Sequence, residues 1–72
     1  MIVTVDAGGL SCPQPVLMTL NKINEINKGE IKVLVDTDTS KENVSRAAES
    51  KGWEVIEIKS SGTVYEITIK KE

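Results

Sequence analysis

Two stretches of this chain repeat their apolar residues with a helical period, and each has only one apolar stripe. Residues 13–28 place Val16, Leu20, Ile23 and Ile26 or Asn27 three and four positions apart, with Leu17 widening the stripe. Further on, Val44, Ala47 and Ala48 make a second, narrower stripe. A helix of this kind buries one side against one neighbour and leaves the rest to water. Two such helices need one shared apolar surface, and the segments between them have the pattern of a sheet.

"IVTVD", residues 2–6, is β-branched and alternates, with Val3 and Val5 on one face. "IKVLVD", residues 31–36, puts Ile31, Val33 and Val35 on one face. "WEVIEIK", 53–59, and "TVYEITIK", 63–70, complete four strands, with "SSG", 60–62, as the turn between the last two. The helix boundaries are also marked. Pro13 suits a first helical position, Pro15 still lies in the first turn, and Lys28 with Gly29 is a stop signal. Thr39 with Glu42 fits a capping box at the start of the second helix, with Ser40 as an alternative cap, and Gly52 ends it.

The element order is therefore β-α-β-α-β-β. Two right-handed crossovers stepping in the same direction put both helices on one face. The expected fold is an α/β (α+β) two-layer sandwich with two helices on a mixed four-stranded sheet. The last two strands pair antiparallel through their short turn. Strand order 1-2-4-3 is expected, though the pattern alone does not force it. Lys32, Leu34, Asp36, Val64, Glu66 and Thr68 then line a solvated open face.

Seventy-two residues make one domain, 1–72, with a small core. No apolar run approaches the ~20 residues of a membrane span. The opening "MIVTVDAGG" lacks a basic start and a long apolar segment, so no secretory signal is expected and the cytoplasm is the expected location. Net charge is −2, the cations are scattered, and Trp53 and Tyr65 are the only aromatics. That composition disfavours direct nucleic-acid binding, which draws on basic patches and stacking platforms.

The chemistry narrows to one residue. Cys12 is the only cysteine, and there is no histidine. Zinc and similar metals draw on sets of three or four such residues, so no metal site is expected. "DTDTS", 36–40, reads as a helix cap with solvated acids rather than a cation site. The usual general base is also missing, so a reactive Cys12 needs an environment that makes it a thiolate. Its surroundings, "GGLSCPQPV", offer one. Gly8 and Gly9 permit a sharp turn, and Pro13 sets Cys12 at or just before a helix N-terminus, which favours an anion. The two prolines remove two N–H donors but stiffen the loop. Lone thiols also occur as small buried hydrophobes, and that alternative stays open on the residues alone. Strands 1 and 2 end at the same sheet edge, so the "TDTS" loop should lie near Cys12, where its acids could oppose the thiolate or help select a partner. Arg46 reads as solvated and Met18 as helix packing.

The stretch "VDAGGLSCPQPVLMTLNKI" resembles the signature of the TusA/SirA/YedF family of small sulfur-carrier proteins, an Asp followed by a Gly-Leu-x-Cys-Pro-x-Pro core and a helix. Asp6, Gly9, Leu10, Cys12, Pro13 and Pro15 match it. "VLVDTDTSKENVSRAAESKGWEV" is similar to the family's second half, particularly the YedF-like branch, at Asn43, Val44, Arg46 and Gly52.

The resemblance covers nearly the whole chain and implies a single TusA/SirA-like domain. It implies a persulfide relay in which Cys12 accepts sulfane sulfur from a cysteine desulfurase or rhodanese and passes it to an acceptor protein. Asp6, Gly9, Leu10, Pro13 and Pro15 would support the motif. No resident cofactor is implied beyond a transient persulfide on Cys12. A monomeric sulfurtransferase-type carrier is expected rather than an enzyme turning over alone. The alternatives are a selenium-related carrier, a non-catalytic interaction or regulatory module, and a thiol redox switch. Longer family members carry a second domain, so the chain reads either as free-standing or as a first domain.

Overall fold

The centre of the fold is β2, Gly29–Val35, where Ile31, Val33 and Val35 are completely buried. Residues alternate on a strand, so these three face the helices and Lys32 and Leu34 face the other way, half-buried. The computed structural model describes residues 2–9 and 14–72. β1, Ile2–Asp6, pairs parallel with β2, and β4, Val64–Lys71, pairs with it antiparallel on the other side. β3, Glu54–Ser61, pairs antiparallel with β4 at the edge. The order is β1-β2-β4-β3, as expected from the sequence.

α1, Gln14–Ile26, and α2, Asp38–Ser50, pack on the sheet and against each other. The core they close contains Val5, Ile23, Val44, Ala48 and Trp53 together with Ile67 and Ile69 of β4.

The α1 stripe differs from the expected one. Pro15, Thr19 and Ile23 are the buried residues, four apart, while Val16, Met18, Leu20 and Ile26 pack partly buried at its sides. Leu17, expected to widen the stripe, points outward and is 47% exposed. Thr19 can take the inner position because its hydroxyl donates to the Pro15 carbonyl at 2.8 Å. With that group satisfied inside the helix, the side chain packs as an apolar one would. The helix also ends earlier than expected. Asn27 adopts a left-handed φ of 62° and its N–H donates to Ile23 O, so Asn27 stops the helix and Gly29 already begins β2.

The cap of α2 lies two residues before the expected one. Thr37, with extended backbone, is the N-cap, and its side chain accepts from Ser40 N at 3.0 Å. Thr39 and Ser40 are inside the helix, and Ser40 is buried. A capping box needs a Glu or Gln at the third helical residue, and Ser40 stands there instead. The far end follows the expected glycine stop. Trp53 N donates to Ala48 O and Gly52 N to Glu49 O, the paired bonds of a Schellman motif. Ala48 and Trp53 are both buried there, which locks the reversal to the core. Gly52 has φ +81°, a conformation that costs an L side chain roughly 1–2 kcal/mol. A Cβ at Gly52 would meet only the flexible end of Lys71, at 3.7 Å. Gly52→Ala should therefore destabilise by about 1 kcal/mol through backbone strain alone, read as a lower urea midpoint at unchanged slope.

β3 has an irregular register. Val55 pairs with Ile69, Glu57 with Thr68 and Ile58 with Ile67, so Ile56 is an extra residue, a β-bulge. Strict alternation from Val55 would send Glu57 to the helix face and Ile58 to the open face. The bulge reverses this, putting Ile58 opposite the buried Ile67 and Glu57 opposite Thr68. The β3–β4 turn is tighter than expected, with Gly62 and Thr63 alone between the paired Ser61 and Val64 and Gly62 at φ +64°. Trp53 lies outside β3 and is buried, not the first strand residue.

The open face is less solvated than its sequence suggests. Thr68 is buried, because it stands between Lys32 on β2 and Glu57 on β3. The Lys32–Glu66 ion pair, 3.3 Å, crosses the same face beside it.

Candidate functional site

β1 and β2 end side by side, and the loop expected to carry the chemistry leaves from there. Ala7 N donates to Leu34 O at 2.8 Å, extending the pairing by one residue. The chain then turns. Gly8 N donates to Asp6 Oδ1 at 3.1 Å, a local turn closed by the aspartate. Gly9 follows with φ +78°, and its N–H donates to Asp36 Oδ2 at 2.7 Å. That bond joins residues 27 apart in sequence and ties the loop after β1 to the loop after β2. The expected closeness of these two loops is thus present up to Gly9. Leu10, Cys12 and Pro13 lie outside the described residues. Asp6 and Gly9 sit in the tethered turn, and Pro15 is buried in the first turn of α1.

The second loop brings its own group of charges. Asp38, in the first turn of α2, accepts from Lys41 at 3.1 Å. Hydrogen bonds from Lys41 and then from Tyr65 hold the Asp38 carboxyl below its ordinary range. The same bond raises Lys41 above the usual lysine range, against a smaller opposing effect of burial. The Lys41 ammonium also lies 4.8 Å from the centre of the Tyr65 ring, a cation–π contact. Tyr65 pairs with Val35, so this cluster occupies the same end of the sheet as Gly9 and Asp36.

The two helix N-termini at this end differ. α2 has its own acid, Asp38, to neutralise its positive end. α1 has no acidic residue in its first turn. Cys12 precedes the first described residue of α1 by two positions in the chain. Asp36 was legible in the sequence only as one acid of a nearby loop. Its particular bond to Gly9 depends on how the two parallel strands are aligned.

Two helices on one face of a β1-β2-β4-β3 sheet, with the glycine turn after β1 tethered to the loop after β2, define a small β-α-β-α-β-β two-layer sandwich. Its family is equally plain. The sequence model of the family described as Sulfurtransferase TusA matches residues 3–71, and the chain belongs to that family. The chain is 37% identical over 68 residues to a protein of Methanocaldococcus jannaschii described as a candidate sulfur carrier, covering 93% of this chain and 91% of the relative. It is 32% identical over 68 residues to the sulfur carrier protein TusA of Allochromatium vinosum, covering 93% and 90%. The crystal structure of a SirA-like protein from Desulfitobacterium hafniense superposes with a TM-score of 0.87 at 37% identity, covering 97% of this chain and 96% of the other.

Proposed function

We propose that this protein is a sulfur carrier that works through Cys12. The observation that supports it most is a chain-long match to a sulfur-transfer family on a chain with a single thiol. The thiolate of Cys12 attacks the outer sulfur of a donor persulfide, R–S–SH. The bond between the two donor sulfurs breaks, its electron pair leaves with the inner sulfur as R–S⁻, and Cys12 becomes Cys12–S–SH. An acceptor thiolate then attacks the outer sulfur of Cys12 in the same way and restores its thiolate. Nothing is oxidised or reduced overall, and no proton relay is needed, which suits a chain without histidine.

The donor is of the cysteine desulfurase or rhodanese type and the acceptor is a protein thiol. The supporting roles of Asp6, Gly9, Leu10, Pro13 and Pro15 are to turn the loop and start α1 so that the sulfur stays presented. The protein works as a cytoplasmic monomer, with both partners docking in turn. Among the described residues no helix is long and apolar enough to cross a membrane.

Incubation with a cysteine desulfurase and cysteine, followed by intact mass measurement, tests the reading. The expected product is heavier by one sulfur atom, and dithiothreitol returns it to the starting mass. A protein that takes up no removable sulfur from desulfurase, rhodanese or inorganic polysulfide would overturn the reading. Disulfide-linked dimers under mild oxidant, without sulfur uptake, would assign Cys12 to redox switching instead.

A further inference from the structure

The bond between Gly9 and Asp36 reaches beyond the motif around Cys12. We propose that Asp36 is a positioning residue for sulfur transfer, its carboxylate holding the loop that delivers Cys12. The inference rests on the reading of Cys12 as the sulfur-bearing thiol.

At 2.7 Å, Gly9 N to Asp36 Oδ2 is at the short end for a charge-assisted bond. Asp36 follows directly on β2, which is paired on both sides, so its backbone is held by the most constrained strand of the sheet. Gly9 has φ +78°, and apart from its chain neighbours no described atom lies within 4 Å of where a Cβ would stand. Beyond the Ala7–Leu34 bond that continues the ladder, the hydrogen bond to Asp36 is a further tie from this turn to the end of β2. The Asp6–Gly8 bond spans two residues and shapes the turn without fastening it to anything distant. Two residues separate Gly9 from Cys12, so their Cα atoms are at most about 11 Å apart along the chain. Displacement between sulfurs needs the attacking and leaving atoms aligned, and small misplacements slow such steps sharply.

Asp36→Ala removes the acceptor, whereas Asp36→Asn removes the charge and keeps an oxygen to which Gly9 can donate. Each full-length variant is loaded by a cysteine desulfurase with cysteine, and the initial rate is read by intact mass. Thermal unfolding and the pH dependence of iodoacetamide alkylation are measured in parallel. Asp36→Ala should load roughly tenfold more slowly than wild type, within the ~100-fold that a misplacement of about 1 Å can cost. Its unfolding midpoint should stay close to wild type, because both bonded groups are exposed. Asp36→Asn should load near the wild-type rate. Both variants lack the charge, so their alkylation profiles should share one midpoint, leaving geometry to account for their different loading.

Loading of Asp36→Ala at the wild-type rate overturns the inference. So does Asp36→Asn loading as slowly as Asp36→Ala, since that assigns the effect to charge. A wild-type protein that takes up no sulfur overturns the underlying reading of Cys12 itself, a different result from wild-type loading with indifferent variants.

Discussion

Cys12→Ser is expected to take up no sulfur from any donor while folding as the wild type does. The substitution exchanges one atom and keeps the size and polarity of the side chain close. A serine hydroxyl remains protonated across the physiological range, whereas a thiol with a pKa at or below about 8.5 supplies thiolate there. No other residue can take over, because the chain has one cysteine and no histidine. The loss should therefore be complete rather than partial. Intact mass after desulfurase treatment reads the loading, and circular dichroism on heating reads the fold. Sulfur bound to the variant in a form that dithiothreitol removes would refute the assignment. In the wild type, alkylation by iodoacetamide reads the thiolate, so its rate should rise with pH through one midpoint and then level off, and Cys12→Ser should not react.

Ile31→Ala should have the largest effect on stability. Ile31 is fully buried on β2, flanked by Val3 on β1 and Ile69 on β4. Truncating an isoleucine to alanine in such a place costs about 2–5 kcal/mol, as lost transfer energy plus the cavity left behind. A domain of 72 residues has in total only about 4–11 kcal/mol. The variant should lose a large share of its stability and be partly unfolded at physiological temperature. Ile56→Ala is the control. Ile56 is the bulged residue of the edge strand and is 47% exposed, so its truncation should cost under about 1 kcal/mol. Urea midpoints compare the two directly. Equal losses would mean that the central strand does not dominate the core.

The elements themselves were legible because their signals are local. Alternation in "IKVLVD" led to Ile31, Val33 and Val35 on one face, and all three are fully buried. Gly52 as a helix stop reflects a backbone conformation that glycine adopts most easily, and the Schellman bonds are there. Where the reading of boundaries missed, a side chain found its partner in its own backbone. Thr37 capped α2 ahead of the expected Thr39, and Thr19 satisfied its hydroxyl on Pro15 and so displaced Leu17 from the buried side. The bulge at Ile56 was hidden for another reason. "VIEI" sets two apolar residues side by side, a break in alternation that does not say which residue is added, and only pairing with Ile67 and Ile69 locates it.

The candidate site divides along the same line. That a single thiol follows a glycine turn and precedes a proline-marked helix is written in "GGLSCPQPV", along with its resemblance to a sulfur-carrier motif. The sequence by itself determined the kinds of elements, their order and the one residue able to carry sulfur, because period, caps and residue chemistry act over a few positions. Only the tertiary structure decided that Asp36, rather than another acid of "DTDTS", meets the loop, and that Tyr65 joins Asp38 and Lys41 beside it. Those contacts join residues 24 or more apart in the chain. They exist because the parallel β1–β2 ladder and the antiparallel β2–β4 ladder bring distant loops to one end of the sheet, and the register of those ladders is set by burial of the whole core.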